Sequence, residues 1–357
     1  MSAHHSLPLL AERQDELSKC GYCPKLCRAT CVVSEAEPRE ALTPWGKMAN
    51  AFAASQTGVL GPERAELAWG CSNCFRCREA CDHRNPVTPT LNDARADYVA
   101  LGQAPAPVQA LLERQDELET QHTRAVAQLE NTPGLRSDAY SALLLGCRYA
   151  KVFPDAARAA IRLTVALAGS VRLVNGCCGA WQRSAGAPAA ADAAQARVAR
   201  ELGSAKRLFV LDPRCALELR NFSPATLVEL AARHLQRFGP APGSARRFRY
   251  HDSCALGRGL GLYDEPRRLL ARVAGNTPLE LENTRQLARC SAGGGVLPVS
   301  MPEVAKAGAA RLVAEHARLG GGTLVTSCAS SLSQLQGAGA DVVDLITLLE
   351  SGLTRDV

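Results

Sequence analysis

Eight of the fifteen cysteines in this 357-residue chain fall in two short runs, Cys20-x2-Cys23-x3-Cys27-x3-Cys31 and Cys71-x2-Cys74-x2-Cys77-x3-Cys81. This spacing constrains the fold more than any other feature, because thiols so close in sequence can hold successive corners of one inorganic core. A disulfide framework is not the expectation. Pro8, Glu12, Asp15 and Glu16 stand where the apolar core of a secretory leader would be needed. The sequence therefore predicts a reducing cytoplasmic setting in which disulfides do not persist. An odd number of cysteines would also leave one over. Metal thiolate remains. Two zinc sites made from the Cys-x-x-Cys turns would use the same eight thiols, but zinc has no use for third and fourth cysteines at such close spacing. The pattern points to two 4Fe-4S clusters.

Within each run three cysteines can wrap one cluster, while the fourth, three residues on, points away, as in ferredoxins whose two clusters exchange ligands. The expected sets are Cys20, Cys23, Cys27 and Cys81 on one cluster, and Cys71, Cys74, Cys77 and Cys31 on the other. The first run has one residue too many before Cys27, and Val32 and Asp82 stand where proline commonly follows the fourth cysteine. Lys plus Arg number 41 against 35 Asp plus Glu, a formal +6 with only 4% aromatics, which does not suggest nucleic-acid binding. Each cluster with four thiolates carries about 2−, so two would bring the chain to about +2. His83 and Arg84, beside Cys81, read as solvated loop residues, with tuning of a cluster potential as the alternative. The apolar stretch from Ala156 to Val174 is broken by Arg158, Arg162 and Arg172, so no segment of about 18 uncharged residues is available to span a membrane.

Four domains are expected in chain order: a two-cluster ferredoxin-type domain (1–104), a helical connector (105–137), and two α/β halves (138–243 and 244–357). In the connector Val108, Leu111, Leu112, Leu118, Val126 and Leu129 are spaced loosely as in a helix, and a helix packed on either neighbouring domain is the competing reading. Beyond it, apolar runs at Ala142–Leu145, Val171–Val174, Leu208–Leu211, Phe248–Tyr250 and Leu324–Thr326 predict parallel strands. Helical patterns at Pro154–Ala168, Pro188–Leu202, Pro224–Phe238, Glu265–Val273 and Met301–Leu319 predict the crossovers. The halves repeat one order. Gly146-Cys147, Cys177-Cys178-Gly179-Ala180 and Asp212-Pro213-Arg214-Cys215 correspond to Ser253-Cys254, Arg289-Cys290-Ser291-Ala292 and Cys328-Ala329-Ser330-Ser331. The fold class is thus α+β, a helical cluster domain followed by a duplicated α/β domain with pseudo-twofold parallel sheets.

From Cys20 to about Ser331 the chain resembles the CCG-domain proteins, which include heterodisulfide reductase catalytic subunits and the iron-sulfur subunits of glycerol-3-phosphate, glycolate and lactate oxidoreductases. The resemblance is strongest at Tyr250-His251-Asp252-Ser253-Cys254-Ala255-Leu256-Gly257-Arg258, Glu265-Pro266-Arg267 and Ala292-Gly293-Gly294-Gly295. In that family a full motif is one cysteine, then Cys-Cys-Gly, then Cys-x-x-Cys. The first copy here keeps Cys147, Cys177, Cys178 and Cys215, with Asp212 in place of a cysteine, and four thiolates suffice for a third 4Fe-4S cluster. Buried, redox-idle thiols are the other reading. The second copy keeps Cys254, Cys290 and Cys328, while Arg289, Ser291 and Ser331 replace a cysteine, the glycine and the final cysteine, so it is expected to be degenerate, with Arg289 placing a positive charge at a ligand position. Gly293–Gly295, with no following Lys-Ser/Thr, reads as a close-packing turn rather than a phosphate loop. His251 reads as an ordinary hydrogen-bonded histidine. No catalytic residue is identified.

The resemblance implies an electron-transfer subunit of a multisubunit oxidoreductase, passing electrons between a flavoprotein dehydrogenase and a quinone-pool or ferredoxin-type acceptor. It would lie in the cytoplasm or, through its partners, at the inner membrane face. Two alternatives stand beside it. One is a thiol-disulfide reductase using a cluster in the first half, with Asp212 as odd ligand or proton donor. The other is a docking scaffold whose α/β domain holds no metal.

Overall fold

Ser141–Leu144 is buried at every position, as a strand inside a parallel sheet must be, and it seeds the first of two sheets of identical plan. A computed structural model of the chain describes residues 4–23, 25–242 and 246–354; the expected division between residues 243 and 244 lies outside them. The first sheet contains β1 (Ser141–Leu144), β2 (Val171–Leu173), β3 (Arg207–Val210) and β4 (Ala225–Thr226), and the second contains β5 (Phe248–Tyr250), β6 (Leu279–Glu280), β7 (Thr323–Thr326) and β8 (Val342–Asp344). Their orders are β2-β1-β3-β4 and β6-β5-β7-β8, all parallel, with Ser141 in register with Val171 and Arg207, and Phe248 with Thr323. The duplication seen in the cysteine pattern is a duplication of architecture. Both copies feed one core, in which Leu143 and Phe209 are buried in the same cluster as Val325 and Leu345.

The crossover helices Pro154–Ala168 and Pro188–Leu202 begin and end where the sequence places them. Pro224–Phe238 is shorter than expected, an α-helix over Leu227–Arg233 followed by a 3-10 turn. The cause is local: Ala225 and Thr226 join the sheet edge, and Thr226 then caps the helix, accepting from Glu229 N while the Glu229 carboxylate accepts from Thr226 N.

The chain forms two compact units that do not follow sequence order. One comprises the residues up to Gln115 with Trp181–Ala191 and Gln286–Leu312; the other comprises Asp116–Ala180, Asp192–Arg285 and the residues from Val313. Each α/β copy thus gives the N-terminal unit the segment at or just after its Cys-Cys-Gly position. The connector is two helices. Ala106–Glu113 buries Val108 in the N-terminal core, whereas Gln115–Ala127 buries Val126 in the sheet core, as does Leu129 just beyond it.

The N-terminal unit is helical, built on Gln14–Gly21, Pro44–Thr57 and Val87–Ala100 around Leu17, Met48, Trp69, Leu91 and Tyr98. Thr43 accepts from Gly46 N to start the middle helix, with Pro44 at its first position. Arg95 ties the unit together through four backbone carbonyls, donating to Ala68 O, Cys71 O, Ser184 O and Gly295 O. Gly295 is the close-packing turn expected of the glycine run: at φ +64° a Cβ there would lie 2.2 Å from Cys71 O. Gly295→Ala should therefore lower stability by about 2–4 kcal/mol. Gly102→Ala, at φ +68° with open space around it, should cost only about 1 kcal/mol. Chemical denaturation of the two variants measures the difference, and equal losses would show that the contact with Cys71 is unimportant.

Candidate metal centre

Cys31, Cys71, Cys74 and Cys77 line one cavity of the N-terminal unit, together with Lys47, Ser72, Phe75 and Thr88. The chain turns sharply to bring them there: Asn73 and Phe75, between the cysteines, both hold positive φ, 54° and 61°, a strained conformation that persists only where the surroundings impose it. Burial pushes the Cys77 thiol well above the ordinary value, and the nearby charges of Cys74, Cys71, Cys31 and Cys27 add to the shift. Lys47 is buried, 2% exposed, and its ammonium donates to Gly70 O and to Cys31 Sγ at 3.6 Å. Burial works to discharge it, but the thiolates of Cys31, Cys71 and Cys77 outweigh that and raise its pKa.

The other N-terminal set gathers around Cys20. Burial pushes its thiol up to about 12; Asn85 opposes this through a hydrogen bond, and Cys27, Cys81 and Cys23 reinforce it. Cys27, half-buried, is pushed up to about 11 by its partial burial, with Cys23 and Cys81 among the other causes. N–H groups already point at sulfur: Asn85 Nδ2 to Cys20 Sγ at 3.0 Å, Lys25 N to Cys23 Sγ at 3.4 Å, and the backbone of Trp45 to Cys27. His83 and Arg84 are exposed, and Arg84 pairs with Glu79. The residue that does reach a cysteine is Asn85, one position further on, which the sequence does not single out. Tyr22 and Leu26, beside Cys23 and Cys27, are 87% and 52% exposed.

Among the described residues no three His, Cys, Asp or Glu side chains converge as they do around a single ion. The two N-terminal sets of four thiols suit a different group. Four thiols on the wall of a cavity are the donor set that a 4Fe-4S core takes, each releasing its proton on binding.

In the sheet unit, Cys147, Cys177, Cys178 and Cys215 are joined in series by thiol hydrogen bonds, Cys147 to Cys177, Cys177 to Cys178 and Cys178 to Cys215. They come from the ends of β1, β2 and β3, and Gly146 permits the approach: at φ +89° a Cβ there would sit 3.3 Å from Cys215 Sγ and 3.0 Å from Asp212 Cβ. Asp212, aligned with a missing cysteine, is committed elsewhere. Its carboxylate accepts from Arg214 N and caps the helix Pro213–Glu218 that carries Cys215, and burial raises its pKa.

The second copy's three cysteines are divided. Cys290 belongs to the N-terminal unit, buried at 3.3 Å from Ser72 Oγ in a core with Val32, Val33 and Leu42. Cys254 and Cys328 belong to the sheet unit, where Arg214 reaches to 3.8 Å from Cys254 Sγ and is also attracted by Cys328 and Asp212. The expected positive charge is real but misassigned. Arg289 pairs with Glu35 at 2.7 Å in the N-terminal unit, and the arginine beside these thiols comes from the first copy. His251 is buried and bonded to Thr326 Oγ1, an ordinary core histidine.

The 4Fe-4S dicluster domain family matches residues 16–85, and the CCG cysteine-rich domain family matches residues 141–220 and 248–336. The chain is 43% identical over 60 residues to a "Probable membrane-anchored ferredoxin" of Chromohalobacter salexigens, covering 17% of this chain and 9% of that protein. It is 27% identical over 114 residues to a dihydromethanophenazine:CoB–CoM heterodisulfide reductase subunit of Methanosarcina acetivorans, covering 30% and 28%. Over 268 residues it is 25% identical to the EtfAB:quinone oxidoreductase of Syntrophomonas wolfei, covering 65% of this chain and 37% of that protein. The matched regions are thus less than two fifths of each relative's own length. No described helix is long and apolar enough to cross a membrane. The cysteine sets, the paired parallel sheets and these matches agree: the chain joins a 4Fe-4S dicluster domain to two CCG cysteine-rich domains.

Proposed function

We propose that the chain is an electron-transfer subunit of an oxidoreductase complex, taking electrons from a flavoprotein dehydrogenase and handing them to a quinone-pool or ferredoxin-type acceptor, with any attachment to the membrane face made through its partners. The observation that carries this reading is the adjacency of the two thiol sets: the turn Leu26–Thr30, which holds Cys27 of one, packs against the helix Arg76–Glu79, which holds Cys77 of the other. When bound there, two 4Fe-4S clusters supply one-electron chemistry. The residues hold the thiolates and present Tyr22 and Leu26 at the exposed edge of the Cys20 set, where a partner can dock. The name of the Syntrophomonas relative supports a quinone as acceptor.

One observation favours a second reading, reduction of disulfides, since four thiols in hydrogen-bonded series lie in the sheet unit. Anaerobically purified protein, assayed for iron and sulfide and reduced with dithionite, separates the two. The relay reading expects magnetically interacting cluster signals and rapid reoxidation by a quinone or a ferredoxin, but not by a disulfide. Reoxidation by disulfide alone would sink it, and an iron-free chain would leave only a scaffold role.

A further inference from the structure

Lys47 is an ammonium placed inside the N-terminal unit with no carboxylate within ion-pair distance among the described residues. It is 2% exposed and lines the same cavity as Cys31, Cys71, Cys74 and Cys77, bonded to Gly70 O and 3.6 Å from Cys31 Sγ. A second cation, Arg95, is fully buried behind Cys71 and spends its donors on neutral groups, the carbonyls of Ala68, Cys71, Ser184 and Gly295 and the side chain of Asn92. Nearby Arg76 and Arg289 share Glu35. The Cys20 set differs: its side-chain donor to sulfur is the neutral amide of Asn85, and its neighbouring cations Lys25 and Arg28 are solvent-accessible and pair with Glu40.

A buried, unpaired ammonium is costly to maintain unless something negative faces it. The negative charge available to Lys47 is that of the thiolates and of the group they would bind. We infer that Lys47 is a fixed counter-charge that raises the reduction potential of the cluster held by Cys31, Cys71, Cys74 and Cys77, making it the electron sink of the pair. This inference rests on the two-cluster reading. Reduction adds one electron, taken from dithionite in the titration below, and carries a four-thiolate cluster from about 2− to about 3−. No bond forms or breaks. A positive charge at contact distance in a water-poor site stabilises the more negative state preferentially, and salt does not screen it.

The test is an EPR-monitored redox titration of the full cluster-loaded chain, with Lys47→Gln and Lys47→Met removing the charge and Lys47→Arg keeping it. Signals are assigned through Cys31→Ser and Cys81→Ser. In the wild type the Cys31-dependent cluster should be the first reduced. The Gln and Met variants should lower its reduction equilibrium at least about tenfold, about 59 mV for one electron. Arg should stay near the wild type, and the Cys20-set cluster should not move. Loss of iron from this site in Gln and Met but not Arg would equally support the charge requirement. Unchanged potentials at full iron content, an equal shift of both clusters, or iron loss in all three variants would overturn it. A wild-type chain without the second cluster would overturn this inference and the two-cluster reading together.

Discussion

Replacing Cys177 and Cys178 together with serine is expected to remove about four iron atoms from an expected content of about twelve, leaving both ferredoxin-type signals in place. The expectation comes from ligand arithmetic and from placement. Cys147, Cys177, Cys178 and Cys215 all belong to the sheet unit and stand in one hydrogen-bonded series. Two adjacent thiols on a Gly-flanked turn can meet one core from one side, while Cys147 and Cys215 meet it from the ends of β1 and β3. Serine preserves the volume and the hydrogen bonds, so loss of iron reports loss of thiolates rather than of fold. The matching change of Cys290 and Cys328 should leave iron unchanged, because the second copy keeps only three cysteines and Arg214 lies against Cys254 and near Cys328. A wild-type content near eight, indifferent to both double variants, would show that neither half holds a cluster.

The sheets were legible because their signal is local. Each central strand is a run of three or four buried residues, and each long crossover helix starts at a proline and keeps its period. Three of the four edge strands, β4, β6 and β8, are two or three residues long, too short to show a period, and form because a neighbouring strand offers its free edge. Cysteine spacing likewise reveals which residues bear sulfur but not what stands beside them. Lys47 lies sixteen positions from Cys31, in the first turn of the helix Pro44–Thr57, outside either cysteine run. Asn85 reaches Cys20 across 65 positions. Arg214 occupies the role expected of Arg289 for the same reason: a duplicated fold can satisfy one copy's charge from the other, and alignment within a copy does not see this. The division of the chain into units is the extreme case, since Trp181–Ala191 and Gln286–Leu312 leave the domain that surrounds them in sequence.

Cys31→Ser should abolish or alter the signal of the cluster held by Cys71, Cys74 and Cys77, and Cys81→Ser that of the cluster held by Cys20, Cys23 and Cys27, although each replaced residue lies in the other run. The reason is that three closely spaced thiols exhaust what one loop can wrap around a core, and the fourth corner must come from a segment approaching from the opposite side. Cys31 lines the cavity of the second run and accepts from Lys47, whereas Cys81 is among the charges that act on Cys20 and Cys27. Each single variant should fall by as much as four iron atoms where serine fails as a ligand, or retain iron with a shifted signal where it binds. EPR of the reduced variants distinguishes the sets, because losing either partner also removes the magnetic interaction between the clusters and leaves one simple spectrum. If Cys31→Ser instead changed only the cluster of Cys20, Cys23 and Cys27, each run would be self-contained. The adjacency of Cys27 and Cys77 would then come from packing of the two loops and not from exchanged ligands.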